Sequence, residues 1–265
     1  MPSPPLVFRA AGLSDTGPVR RGNEDAFVLE PALGLFAVAD GMGGRNAGEV
    51  ASRLATESLV SFVRHSHDES DFSWPYGIDA KLSYQANRLR TAINLANRRV
   101  FRAAESHDDY TGMGSTLAAL LFSPETVVVG HIGDSRAYLS RGDSLTQLTQ
   151  DDTWVMAMLA EELGGDPARL ASHPMRHVLT NVLGTKENTE IHVAEHQLQP
   201  GDRLIVCSDG LHGVVDGSDL QRVLDAGPRE DLEATAKRLV DAALERKTRD
   251  NVTVVLVGVS QGGEA

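Results

Sequence analysis

Between Thr116 and Thr149 strand-like runs follow one another with only tight turns between them. Thr116 to Phe122 leads through Ser123-Pro124-Glu125 into Thr126 to Ile132; Arg136 to Ser140 leads through Arg141-Gly142-Asp143 into Ser144 to Thr149. A parallel crossover needs a dozen or more residues, so strands this close pair only as antiparallel hairpins. That excludes a Rossmann-like sheet. It also removes the reading of Gly41 to Gly44 as a nucleotide-cradling loop, since neither GxGxxG nor a P-loop lysine is present.

Several apolar runs end on an acid. Leu35-Phe36-Ala37-Val38-Ala39 stops at Asp40 and glycines follow; Val127 to Gly133 stops at Asp134; Leu204 to Ser208 stops at Asp209. Two further segments place acids just before a strand, Glu24-Asp25 ahead of Ala26 to Leu29 and Asp250 ahead of Val252 to Val257. An apolar run bounded by glycine reads as a buried strand. Carboxylates delivered from five separated strand ends point to one shared site, and like charges gathered there need cations to neutralise them.

The rest of the chain supplies layers around these strands. Residues 5 to 15 read as an edge strand, and 25 to 30 with 34 to 39 as a hairpin around Pro31. A helix is expected from Gly48 through Val63, then a loop from His65 to Gly77, in which His65 and His67 read as solvated rather than metal-binding. A long helix is expected over about 79 to 106. Leu82, Ala86, Leu89, Ile93, Ala96 and Val100 form its apolar stripe, and Arg88, Arg90, Arg98, Arg99 and Arg102 read as its solvated face. Asp151 to Leu183 is polar and glycine-broken and reads as a flap, with Asp151-Asp152-Thr153 capping a short helix. Ser218 is expected to cap a helix to Asp225, Leu232 to Ala243 forms another, and Val252 to Val259 is the last strand. Asp143, Asp202 and Asp216 sit beside glycine and read as turn or surface acids. No internal repeat or low-complexity linker divides the chain, so residues 5–260 are expected to form one domain of 265-residue-scale length.

Composition limits the partners. A hydrophobic content of 41% with 23% charged residues is that of a soluble globular protein. The net charge of -12 disfavours nucleic acid, whose phosphates it would repel. The single cysteine, Cys207, cannot form an internal disulfide and reads as a small buried hydrophobe. The N-terminus shows no signal peptide, and no apolar run reaches the roughly 18 residues of a membrane span. The expectation is a soluble, cytoplasmic monomer without nucleic-acid or membrane partners.

The candidate metal ligands are carboxylates and backbone oxygens, which favour magnesium or manganese over zinc. Paired ions at roughly 4 Å hold and aim a water at phosphorus. An arginine in Arg20-Arg21 would bind the phosphate through paired donors. These elements together describe a hydrolase of phosphate monoesters.

Arg20-Arg21-Gly22-Asn23-Glu24-Asp25-Ala26, Val38-Ala39-Asp40-Gly41-Met42-Gly43-Gly44, Gly114-Ser115-Thr116, Gly130-His131-Ile132-Gly133-Asp134-Ser135-Arg136, Ser208-Asp209-Gly210 and Asp250-Asn251-Val252-Thr253 resemble, in order and spacing, the motifs of the metal-dependent type 2C Ser/Thr protein phosphatases, the PPM family, in its bacterial form. The resemblance runs from about residue 10 to 259. It implies an α+β fold, an α-β-β-α sandwich of two antiparallel sheets flanked by pairs of helices. It implies two Mn2+ or Mg2+ ions, with Asp40 bridging them, the Gly41 carbonyl serving one, and Asp209 with Asp250 holding the other. Glu24 and Asp25 would act nearby. Arg20 matches the phosphate-binding arginine, ahead of Arg21. Asp134 with Asp209 matches a third metal site, which Ser172 in the flap would approach. Many eukaryotic members carry a histidine after the first Asp-Gly as general acid; here Met42 stands there and cannot donate a proton. His131 is expected to be packed or hydrogen-bonded rather than catalytic.

The implied activity is hydrolysis of phosphoserine and phosphothreonine in proteins, opposing a Ser/Thr kinase. The alternatives are a catalytically weak regulatory binding module of the same fold, which a missing metal acid would favour, and a phosphatase of anti-sigma-type regulators. No metal acid is missing.

Overall fold

The computed structural model describes residues 5–44, 47–68, 73–160, 173–175 and 177–262. Two antiparallel sheets stand at its centre. One runs β1 (Leu6–Asp15), β11 (Val252–Gln261), β10 (Arg203–Cys207), β7 (Arg136–Arg141), β8 (Ser144–Gln147). The other runs β2 (Asp25–Glu30), β3 (Leu35–Met42), β5 (Leu117–Phe122), β6 (Thr126–Ile132), β9 (His192–Gln197), with β4 (Gly114–Ser115) on the end of β3. Every named pair is antiparallel, as the short connections require.

Both faces of each sheet are covered, which is why the central runs are apolar throughout rather than alternating. In β3, Leu35, Ala37 and Ala39 face α1 (Ala47–Asp68) and α2 (Tyr84–Ser106), whose Leu59, Val63, Leu89 and Ile93 fill that layer. The intervening Phe36 and Val38 face the other sheet and meet Leu204, Val206, Val255 and Val257. On the far side Ile205, Cys207, Val254 and Leu256 pack on α5 (Gly217–Asp225) and α6 (Leu232–Glu245) through Leu220, Leu224, Leu239 and Val240. The order is therefore helix pair, sheet, sheet, helix pair, the expected α-β-β-α sandwich. Among the described residues the other α-helices are short: α3 (Trp154–Ala160) and α4 (Asp209–His212).

Local details depart from the sequence reading. α1 continues to Asp68, so His65 and His67 stand in its last turn and not in a loop. α2 begins at Tyr84, because Ser83 caps it by accepting the Ala86 N–H at 3.1 Å. Asp216, not Ser218, caps α5 by accepting the Asp219 N–H at 2.9 Å. Asp143 is exposed as expected. Asp202 is not a surface acid: it is 1% exposed and accepts two hydrogen bonds from Arg141, at 2.8 and 2.7 Å. The flap segment contains α3, whose Trp154 stacks on His173 with ring centroids 4.7 Å apart. The isolated bridge Ser115–Leu183 ties its return to the body, and Thr153–Leu179 joins the two sides of the segment to each other. Ser172 lies outside the described residues.

Arg88 is the clearest correction. It is only 3% exposed, and its guanidinium donates to the Val63 carbonyl and, at 2.7 Å, to Ser66 Oγ. A charged group thus fastens α2 to the end of α1. Arg88→Met is expected to cost about 2 kcal/mol, because a buried carbonyl and hydroxyl lose their donor. Arg98→Met on the exposed side of the same helix is expected to stay within about 0.5 kcal/mol of the parent. Urea midpoints of the two variants measure the difference.

Candidate active site

Asp25 and Asp40 are direct partners in the β2–β3 ladder, so their side chains share one face at the end of the inter-sheet core. Their separation is set by the sheet, about 5 Å between Cβ atoms. The backbone of Asp40 is held on both sides. Its N–H donates to Thr116 Oγ1 at 3.0 Å, and its carbonyl accepts from the Thr116 N–H at 2.8 Å and Ser115 Oγ at 3.1 Å. The Gly114-Ser115-Thr116 motif is therefore a clamp on the acid-bearing strand end. Asp25 is fixed from the opposite sheet: its Oδ2 accepts from Ser208 Oγ at 2.8 Å and Thr253 Oγ1 at 2.7 Å.

The other acids arrive from the neighbouring strand ends. Asp209 opens α4 directly after β10, and Asp250 precedes β11. Asp134 follows β6 and is buried, with its carbonyl accepting from His212 Nε2 at 2.9 Å. Arg136 pairs with Asp151 through two hydrogen bonds, at 2.9 and 2.7 Å, and so fixes the chain beyond Asp134. Arg20, Glu24, Asp40, Gly41, Asp134, Asp209 and Asp250 all line one cleft of about 240 Å³. Asp25 does not line it, and neither does Arg21, the second arginine candidate.

Two candidates have structural partners that the sequence does not reveal. Arg20 donates to Asp250 Oδ2 at 2.6 Å, in a half-exposed ion pair at the rim. Glu24 lies against Gly48 in the first turn of α1, its Oε1 2.6 Å from where a Cβ on Gly48 would stand, and a carboxylate there is favoured by the helix dipole. Asn251 was not singled out by sequence reasoning. It accepts the Glu24 N–H at 2.9 Å and donates to the Thr16 and Gly22 carbonyls at 2.8 and 3.0 Å, which holds the arginine-bearing connector over the cleft. His177 also lines the cleft and was missed. It lies in the irregular return of the flap segment, where no periodic pattern marks it. His131, as expected, is packed, its Nε2 3.0 Å from the Gln150 carbonyl. Cys207 is fully buried and burial pushes its thiol up to about 12, so it is no nucleophile.

Burial and mutual repulsion raise the acids. Asp25 is pushed up to about 6 and Asp134 to about 7, in each case mainly by burial and further by Asp209. Asp40 is pushed well up by burial and then by Asp25, Asp209, Asp134 and Asp250. Asp209 rises by burial and by Asp250. Asp25 Oδ1 and Asp209 Oδ1 are buried without a hydrogen-bond partner. Among the described residues no three acidic, imidazole or thiol groups are already drawn up as the ligands of one ion. The oxygen-only donors, their burial and the two unpartnered oxygens nevertheless fit hard divalent cations.

A measurable consequence concerns pH. An acid whose folded value lies above its unfolded one costs nothing below the unfolded value. The cost grows with pH and is complete above the folded value. For Asp25 and Asp134 that window runs from the ordinary 3.8 to about 6 and about 7. Chelator-treated protein is expected to melt higher at about pH 6 than at about pH 8, by a few kcal/mol of stability at most. Manganese at the higher pH is expected to restore the loss. Equal melting temperatures at both pH values, with chelator, would contradict the repulsion.

Comparison with known proteins agrees with the fold. The family model for protein phosphatase 2C matches residues 21–246. The serine/threonine protein phosphatase PstP of Mycobacterium tuberculosis is 39% identical over 96% of this chain, and the chain spans 45% of that relative's length. The serine/threonine phosphatase stp of Listeria welshimeri is 32% identical over 92% of this chain and 93% of its own. The crystal structure of the PstP catalytic domain in complex with two manganese ions superimposes with a TM-score of 0.80 at 35% identity, covering 97% of this chain and 100% of that one. On the extent of the family match and these identities, the chain belongs to the protein phosphatase 2C family.

Proposed function

We propose that this chain is a metal-dependent protein serine/threonine phosphatase that hydrolyses phosphoserine and phosphothreonine in one step. The observation that carries the reading is the delivery of carboxylates from separate strand ends to one cleft with a guanidinium at its rim. Asp40, the Gly41 carbonyl, Asp209 and Asp250 would hold two manganese or magnesium ions, and Asp134 with Asp209 a third. Such ions, when bound, lower the pKa of water and polarise the phosphoryl group. The manganese in the PstP catalytic domain supports that ion.

The chain's own residues supply the rest. Arg20 uses one guanidinium nitrogen on Asp250 and keeps further N–H donors for phosphate oxygens. Glu24, on the cleft wall beside α1, would orient water near the acids, and Asp25, locked by Ser208 and Thr253, stands behind the cleft directly beside Asp40. Met42 has no proton for the leaving alcohol, whereas the His177 imidazole on the cleft wall can carry one. Residues 5–260 would form one catalytic domain with a flap at about 151–183. In the cell it would act as a cytoplasmic monomer that opposes a Ser/Thr kinase in signalling. Among the described residues no helix is long and apolar enough to cross a membrane. The binding-module alternative has no lost acid to support it.

The test is phosphate release from a phosphothreonine peptide with manganese, then with excess chelator. Release that requires the metal is the expected result. No release from phosphoserine or phosphothreonine peptides by manganese-loaded protein would reject the reading.

A further inference from the structure

A second cavity lies at the opposite end of the β1-β11-β10 sheet. The acids gather where Asp15 faces Val252, whereas this cavity opens near Val7 and Ser260 at the other end of the same ladder. Six residues of strand separate Arg9 from Asp15, which amounts to about 20 Å. The cavity measures about 890 Å³, within the usual range for small-molecule sites.

Its floor follows from strand register. Arg9 on β1 faces Gly258 on β11, and Gly258 faces Arg203 on β10. The three therefore stand in one row on one face, with the arginines about 10 Å apart across a residue that has no side chain. A Cβ at Gly258 would meet only Leu232, at 3.4 Å, so packing does not require the glycine. Arg229 closes the other side, donating to the Gly201 and Gly142 carbonyls at 3.3 and 2.8 Å. Pro200 and Leu232 add an apolar wall.

The charges at this cavity are not balanced. Arg203 is 2% exposed and donates to the Leu224 carbonyl at 2.7 Å; it and Arg229 share one acid, Asp225, at 3.3 and 3.8 Å. Asp202 is taken by Arg141. Glu230 stands on the rim, and Arg9 makes no hydrogen bond or ion pair among the described residues. Three guanidinia thus face two acids, in a chain whose net charge is -12. Arg203 itself is held below the usual guanidinium range by burial and by the nearby Arg229 and Arg238. An anion would relieve that repulsion, and the planar fork of arginine suits phosphate.

We propose that this cavity binds a small phosphate-bearing molecule, with its anionic group between Arg9 and Arg229 above the Gly258 floor and its body against Leu232 and Pro200. Arg203 contributes positive field from beneath. The proposal goes beyond the catalytic reading and does not depend on it.

The test uses the full chain with chelator present. Inorganic pyrophosphate, adenosine monophosphate and a phosphoserine peptide are titrated in turn, and the backbone amide resonances of Gly201, Leu232 and Gly258 are followed. Saturable shifts at these amides with pyrophosphate or adenosine monophosphate are expected. Arg9→Gln combined with Arg229→Gln is expected to weaken them at least tenfold while phosphopeptide turnover by manganese-loaded protein stays unchanged. Gly258→Leu, which fills the floor, is expected to abolish them. No saturable shift at these amides, shifts that survive both variants, or shifts with the phosphopeptide alone would overturn the proposal.

Discussion

Replacing Asp209 by asparagine is expected to lower manganese-dependent phosphate release roughly a thousandfold, about 4 kcal/mol of barrier. The same change is expected to leave the chelated protein as stable as the parent or more so. The two effects have one cause. Asp209 Oδ1 is buried without a partner, and its carboxyl is raised by burial and by Asp250. Asparagine keeps the shape and removes the charge, so the repulsion with Asp40 and Asp250 falls. It also removes the anion that a divalent cation requires. The variant is compared with the parent by phosphate release, by calorimetric manganese titration and by chelated melting temperature. Lost activity with a lower chelated melting temperature would make Asp209 a structural residue. Retained activity would remove it from the metal set. A stability cost borne for chemistry leaves the opposite pattern, lower activity with higher stability.

The site was more legible than its surroundings, for a physical reason. An acid at either end of an apolar run conflicts with the burial of its neighbours, and five such conflicts are visible without knowing which strands pair. The helix-facing and sheet-facing halves of Leu35 to Ala39 could not be separated, because both faces are buried and no alternation is left to read. Arg88 and Asp202 were misplaced for a different reason. Each is buried because a distant partner satisfies it, Val63 and Ser66 for one and Arg141 for the other. Periodicity sees a charge and assigns it to water; only the fold supplies the partner. Asn251 was hidden in the same way, since its bonds reach back across the chain to Thr16, Gly22 and Glu24. The cap of α5 went to Asp216 over Ser218 within two residues, where both side chains are competent and the local backbone decides.

Gly41→Ala is expected to damage fold and activity together. A Cβ at Gly41 would stand 1.9 Å from the Gly48 carbonyl oxygen and 2.8 Å from that of Glu24, both backbone atoms. Gly48 is confined in turn, its own Cβ falling 2.7 Å from the Gly41 carbonyl oxygen and 2.6 Å from Glu24 Oε1. The end of β3, the start of α1 and the approach to β2 therefore meet through glycine alone. The requirement is for close approach. Relief needs a backbone shift, because no rotamer can move a carbonyl, and overpacking of this kind costs about 3 kcal/mol. For a chain of this size that corresponds to a melting temperature lower by roughly 6–12 °C. The shift also moves Asp40, one residue away, and the α1 turn that Glu24 lies against, so phosphate release is expected to fall at least a hundredfold. Gly44→Ala is the control, since a Cβ there meets nothing within 4 Å. If Gly41→Ala melted and turned over like Gly44→Ala, the glycine contact between β3 and α1 would not be what positions the acids. If it lost activity at an unchanged melting temperature, Gly41 would matter through its carbonyl alone and the packing argument would fail.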